Sequence, residues 1–345
     1  MTDVNYKTAV LGYFGYQNAG DDAFYDFWVQ RMGAPIAALS RNLTGTTAES
    51  AILGGGAIVN DYFISRLPAS FTSLSLYGCS LPYGSDDVNL LIPLLDKIDD
   101  VHLRSKRDVD AAKAILPQAQ YVPDLIFGHT FEDRNISIEE LISHCEVPPA
   151  GFKVERKNLF LFLSDHYRSS ELSRHYIVES FKYKLAHAID YLSQFYNIIC
   201  IPMSMWHDSR DNVFAADVAS KMKHRAKVAV VDRYLGPSYI YQAIKSQAAL
   251  VLTMKYHGIV FSMSANVPFI NIGDTRKNAD LLFDSGLDGL NCSLNHFDNS
   301  AFLKAVKFAE SSEVRENIIS VAAENKTLVH SAIEKILPKL KFSST

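Results

Sequence analysis

Short apolar runs rich in β-branched residues alternate along this chain with longer amphipathic stretches. That alternation is the signature of βαβ units and a parallel sheet. In the first half the predicted strands are Thr8–Gly12, Ile36–Leu39, Ala51–Leu53, Ser73–Tyr77, Asp100–Leu103 and Gln120–Val122. Helical patterns lie between several of them, as at Asp21–Arg31 and Asp108–Leu116. The stretch Val147-Pro148-Pro149-Ala150-Gly151, followed by Glu155-Arg156-Lys157, reads as a linker. A second series follows, with strands at Leu159–Leu163, Ile198–Ile201, Val228–Val231, Leu250–Thr253 and Pro268–Ile272. Its helices include Glu171–Phe195, Tyr239–Ser246 and Ile259–Ala265, and Ser312–Leu337 closes the chain as another.

At 345 residues the chain is too long for a typical single core and fits two domains. The expected fold class is α/β, with two facing Rossmann-like domains. The expected boundaries are 1–150 for the first domain, 156–311 for the second, and a C-terminal helix within 312–345 that packs back across both. Ligands of open α/β sheets bind beyond the carboxyl ends of the strands. The expected site is therefore the cleft between the two sheets, and the motifs follow predicted strands.

Composition removes several function classes. The formal net charge of -4 gives no electrostatic case for nucleic acid or for an anionic membrane. No apolar run approaches the roughly 20 residues of a membrane helix; the longest, Ala248–Thr253, is strand-length. The N-terminus lacks the basic-then-apolar layout of a signal peptide. Cys79, Cys145, Cys200 and Cys292 are far apart and form no metal-like pair. They are expected as free thiols in a reducing cytoplasm.

Six segments carry the candidate chemistry. The first is Gly12-Tyr13-Phe14-Gly15-Tyr16-Gln17-Asn18-Ala19-Gly20-Asp21-Asp22-Ala23, between the first strand and the first helix. It matches neither the dinucleotide fingerprint nor a Walker loop. It reads either as a ligand loop at a helix N-terminus or as a turn capped by Asp21 or Asp22. The second, Gly54-Gly55-Gly56 with Asp61 downstream, reads as a bare backbone offering N–H groups to an anion, or as a tight connection. The third brings Arg104 and Arg107 to a strand end, with Asp108 as an alternative helix cap. The fourth is Lys255-Tyr256-His257-Gly258, where a cation and a histidine meet a strand-to-helix junction. The fifth, Gly273-Asp274-Thr275-Arg276-Lys277, adds cations to the same edge. The sixth is Ile201-Pro202-Met203-Ser204-Met205-Trp206-His207-Asp208-Ser209-Arg210-Asp211, after another strand. It reads first as a loop with Asp208 or Asp211 capping the next helix, and otherwise as a place where His207 or Asp208 orients a substrate hydroxyl.

In order and spacing these segments resemble the polysaccharide pyruvyl transferase family over roughly residues 8 to 290. The family's Gly-x-x-Gly-x-x-Asn-x-Gly-Asp-(Asp/Glu)-Ala pattern is matched by Gly12 to Ala23. Its triple glycine with a later acid is matched by Gly54 to Asp61. Its Arg-Asp element is matched by Arg107-Asp108 in helix spacing and by Arg104 at the strand end, and its Pro-Asp pair by Pro123-Asp124. Its late Arg-Leu-His-(Gly/Ala) motif reads here Lys255-Tyr256-His257-Gly258, followed by Val267-Pro268 and Lys277. Lys255 stands where the family usually has arginine, and a lysine makes no bidentate contact.

The resemblance implies the architecture of two-domain, GT-B-like glycosyltransferases. It implies phosphoenolpyruvate as donor substrate and a sugar, nucleotide-sugar or lipid-linked glycan as acceptor. No cofactor or metal is expected, since no step requires one and the sequence shows no metal-ligand cluster. The product is a pyruvate ketal on a bacterial surface glycan. Within that scheme Lys255, Lys277, Arg104, Arg107 and Gly258 are the donor-side residues. Asn18, Gly20, Asp22, Gly54, Gly55, Gly56, Asp61, His207 and Asp208 fall on the acceptor side. His257 is the expected acid and Asp21 the expected base. The alternatives are a glycosyltransferase of this architecture using a nucleotide sugar, and a sugar- or anion-binding protein without turnover.

Overall fold

The computed structural model describes residues 5–32, 38–146, 149–153, 155–165, 172–206 and 210–337. The chain divides into two compact units. The first takes the described residues of Met1–Tyr16, Asp21–Thr130 and Ala323–Thr345, and the second those of Gln17–Gly20 and Phe131–Ala322.

The first unit holds six strands: β1 (Asn5–Leu11), β2 (Ala38–Ser40), β3 (Thr47–Leu53), β4 (Ser73–Cys79), β5 (Ile98–Leu103) and β6 (Gln120–Tyr121). They pair in parallel in the order β2-β1-β3-β4-β5-β6. The second holds β7 (Lys157–Phe162), β8 (Tyr196–Cys200), β9 (Val228–Val230), β10 (Ala248–Thr253), β11 (Phe269–Ile272) and β12 (Asn291–Cys292). Its parallel order is β12-β11-β10-β7-β8-β9. This is the doubly wound α/β plan expected from the alternating pattern.

The differences from the predicted strands have simple causes. β3 begins four residues before the apolar run, because Thr47, Glu49 and Ser50 are only half-buried. β5 begins at Ile98, ahead of the polar pair Asp99 and Asp100 that hid its start. β12 is two residues long and has no apolar run to announce it. Ile36 and Ala37, predicted in a strand, and Glu171, predicted in a helix, lie outside the described residues.

Strand order fixes where a site can form. In the first sheet the order reverses between β1 and β3, whose carboxyl ends carry the two Gly-rich loops. In the second it reverses between β7 and β10, and β10 leads into Lys255 and His257. Such reversals open the crevice in which open sheets bind ligands.

The helix Ala19–Met32 covers the first of these points. Phe24, Phe27 and Trp28 on it are fully buried. Trp28 Nε1 donates to Gly54 O at 2.9 Å. A methyl group at Gly54 would meet Val10 Cγ1 and Trp28 Nε1. Gly54 is thus required by the close seating of this helix. On the same helix, burial first and the Asp22 charge second push the Asp26 carboxyl up from 3.8 to about 6.

At the far end of the unit, the last helix, Ser312–Ile336, lies over Gly128. A Cβ there would meet Val329 Cγ1, and Arg31 donates both to Gly128 O at 2.6 Å and toward His330 at 3.0 Å. No described helix is long and apolar enough to cross a membrane. All four cysteines are free thiols; Cys292 is half-buried and the others are buried.

Two outcomes follow. Gly54→Ala overpacks the seat of Trp28 and lowers stability by about 1–3 kcal/mol, read as a lower urea midpoint by tryptophan emission. Asp26 holds its proton to higher pH in the native chain than in the unfolded one. Native stability therefore falls as pH rises from 3.8 to about 6. Asp26→Asn removes that fall, so its melting temperature exceeds wild type above this window and varies less within it.

Candidate active site

At the end of β10, Thr253 turns the chain out of the sheet. Its Oγ1 accepts from Lys255 N at 2.9 Å and donates to Lys255 O at 3.0 Å. Lys255 is the N-cap of the helix Tyr256–Ser264, so His257 falls in the first helical turn. A side chain on Gly258 would collide with Thr253 Oγ1, which makes this glycine a packing requirement of the turn.

The Lys255 ammonium is held by a carboxylate. Its Nζ lies 3.0 Å from Asp211 Oδ1, with the two side chains only 13% and 2% exposed. Asp211 Oδ2 accepts from Ser204 N at 2.7 Å, and the Ser164 side chain donates to the same carboxylate. Burial pushes the Asp211 carboxyl up, against the pull of Lys255, the Ser204 N–H and Ser164. One carboxylate thus ties together the loops that follow β7, β8 and β10.

His257 is half-buried, with its ring edge-on to Tyr256 at 5.2 Å. The ring also meets Gly20, where any Cβ would collide with the imidazole Nδ1. Gly20 reaches it because Gln17–Gly20 is laid along the loop after β8. Ala19 N donates to Met203 O at 2.8 Å, Met205 N donates to Gln17 O at 3.0 Å, and Asn18 bridges Ser204. Portions of the first, fourth and sixth segments are therefore assembled within the second unit.

The first unit treats its predicted residues differently. Gly54 N donates to Leu11 O, Gly56 N to Gly78 O, and the Gly55 N–H to the Cys79 thiol. The expectation of N–H groups left open to an anion is corrected: the backbone continues pairing beyond the strand ends. Asp21 Oδ1 lies beside Gly56, 3.5 Å from where a Cβ would stand. Asp21 and Asp22 are in the first turn rather than at the cap, and Asn18 Oδ1 accepts from Gly20 N at 3.3 Å. Asp22 accepts from Gly15 N at 2.9 Å, closing the loop. Asp61 is exposed, opening a short helix capped by Asn60.

Arg104 is buried and pairs with Asp124 at 2.8 Å and Ser80 Oγ at 3.1 Å, so it braces the ends of β4 and β5. Arg107 is exposed on the helix Lys106–Ala112, whose cap is Ser105 and not Asp108. Lys277 is exposed on the helix Arg276–Asp284. His207 and Asp208 lie outside the described residues. The residues that sequence reasoning missed are Ser164 and Ser204, and Asp211 was read only as a cap. A carboxylate at the start of a helix looks like a cap, and only the fold reveals Lys255 opposite it.

A family model described as polysaccharide pyruvyl transferase matches residues 8–275. The chain belongs to the polysaccharide pyruvyl transferase family. That is a transferase family acting in polysaccharide pyruvylation. No curated protein matches the chain. Among solved structures it is similar to the S. aureus MnaA–UDP co-structure, at 9% identity over 99% of each chain with a TM-score of 0.60. It is also similar to a UDP-N-acetylglucosamine 2-epimerase of Methanocaldococcus jannaschii in complex with UDP-GlcNAc and UDP. There the identity is 9% over 96% of this chain and 100% of the other, with a TM-score of 0.57. At such identities these likenesses speak for the fold alone, which is α/β with two parallel sheets, of the GT-B-like class.

Gly20→Ala tests the assembly. In a helix's first turn, alanine alone is favourable over glycine by up to about 1 kcal/mol. Here it displaces the His257 ring. The expected result is a shifted His257 imidazole resonance in NMR spectra, without loss of the far-ultraviolet dichroism of the fold.

Proposed function

We propose that this pyruvyl transferase moves the enolpyruvyl group of phosphoenolpyruvate onto two hydroxyls of one sugar, forming a ketal and releasing phosphate. The reading extends the family membership to a donor and a reaction. The observation that carries it is the gathering of Lys255, His257 and the 17–20 segment at the reversal point of the second sheet.

Phosphoenolpyruvate brings a carboxylate and a phosphate. Lys255 meets it as a point charge whose position Asp211 fixes, and the first turn after it adds a positive field. Lys277 and Arg107 are the exposed donor-side cations of the scheme. Protonation of the methylene carbon makes the central carbon electrophilic, and His257 is assigned that proton. A first sugar hydroxyl attacks and loses its proton to Asp21. Phosphate leaves, and a second hydroxyl closes the ring. Of the two hydroxyl protons released, one replaces the proton given to carbon and the other leaves with phosphate. Gly20 lies beside His257 within the second unit and Gly56 beside Asp21 within the first; these glycines and Asn18 are the residues assigned to the acceptor. The acceptor is a sugar, nucleotide sugar or lipid-linked glycan of a bacterial surface polymer, met in the cytoplasm.

The test is a phosphate-release screen of phosphoenolpyruvate against a panel of free, nucleotide-activated and lipid-linked sugars. Phosphate appears with one acceptor class, and a chelator leaves the rate unchanged. His257→Gln and Asp21→Asn each lower turnover about 100-fold or more while the chain melts normally. Nucleotide released from a nucleotide sugar, with no phosphate from phosphoenolpyruvate, identifies a glycosyltransferase instead. Donor binding without product from any acceptor identifies a binding protein.

A further inference from the structure

The second unit carries an aromatic and cationic surface at the edge of its sheet opposite to Lys255 and His257. The helix Leu172–Leu192 points three tyrosines outward. Tyr176, Tyr183 and Tyr191 are spaced seven and eight residues apart, which puts them on one face. Tyr176 is 66% exposed and Tyr183 61%, and just past the helix Phe195 is 54% exposed. Tyr191 and Phe195 meet edge to face at 5.4 Å.

The same two rings line a groove of about 930 Å³. Lys157 and Tyr196, which begin β7 and β8, form its floor with Leu192 and Leu303. Arg156, Lys157, Lys304 and Lys307 bring four cations to it, against Glu155 and Glu310. Glu310 is already engaged by Lys157 at 3.2 Å and by the Tyr196 hydroxyl. Of the acids on the neighbouring helix, Asp190 accepts from Lys223 N and His224 N, and Glu179 from Lys182. The groove is therefore net positive although the whole chain is net negative.

We propose that this surface docks the protein on an anionic lipid bilayer, with the tyrosines and Phe195 in the interfacial layer and the groove's cations against lipid phosphates. Tyrosine is a residue of membrane interfaces, with an apolar body and a polar tip. Lysine is depleted at protein–protein interfaces, so its abundance here favours lipid over a protein partner. The attachment is peripheral and local: the net charge of -4 gives no long-range attraction to an anionic surface, and the contact depends on headgroups within about one Debye length of the groove's cations. Lying at the strands' amino ends, the surface leaves the carboxyl edge uncovered.

The experiment is co-sedimentation of the full chain with phosphatidylcholine vesicles, with and without phosphatidylglycerol, at low and high salt. The wild-type chain pellets with the anionic vesicles, roughly tenfold or more above the neutral ones, and salt releases it. One variant carries Tyr176→Ser, Tyr183→Ser and Phe195→Ser, and a second carries Lys304→Glu and Lys307→Glu. All five positions are on the surface, and melting curves verify that each variant is folded. Each loses vesicle binding about tenfold. The proposal is overturned if the wild-type chain ignores anionic vesicles or if both variants bind as well as wild type. It is also overturned if sedimentation without lipid shows self-association that the tyrosine variant abolishes, since the face then belongs to a second copy.

Discussion

The buried pair of Lys255 and Asp211 organises the carboxyl edge of the second sheet. Two opposite charges out of water demand close geometry, and removing one partner of such a pair typically costs about 3–5 kcal/mol. Here the geometry is enforced from three directions, because Ser164, the Ser204 N–H and Lys255 all converge on one carboxylate. Once the loop after β8 is fixed in this way, its backbone at Met203 and Met205 is available to the Gln17–Gly20 segment. That segment in turn sets Gly20 against His257. The imidazole is thus placed by its own helix after β10 and packed against a segment that the loop beside the ion pair holds.

Lysine in place of the family's usual arginine takes on meaning in this setting. A guanidinium carries a planar, pre-organised fork of donors that can grip a carboxylate or phosphate bidentately. An ammonium is a point charge on a flexible stem, and it acts at a fixed place only if something fixes it. Asp211 does so, at the cost of sharing the positive charge with any anion that arrives. The substitution and the partner are best understood as one unit.

The α/β plan was legible because buried parallel strands are written as short β-branched runs, and Leu250–Thr253 is a clear instance. Strand starts were less so: Thr47–Ser50 and Asp99–Asp100 lie in strands with side chains that do not announce it. At the site, Lys255 and His257 stood out as a cation and a histidine at one junction. Their partners did not. Asp211 has the sequence appearance of a cap, and Ser164 and Ser204 are unremarkable until strand order brings β7, β8 and β10 together. The glycines show the same limit. Gly20 and Gly54 invite a ligand reading, yet the first is needed beside an imidazole and the second beneath Trp28. A glycine marks a close approach without naming what approaches.

The assignment of Gln17–Gly20 to the second unit bears on how the molecule can be taken apart. A chain cut between Thr130 and Phe131 yields a C-terminal fragment with every strand of its own sheet. It lacks the segment in which Gln17 and Ala19 bond to Met205 and Met203 and Gly20 packs against His257. Such a fragment has a complete scaffold and an unfinished candidate site. Supplying a short peptide that spans Gln17–Gly20 would be chemical complementation, with the imidazole environment as its natural reporter.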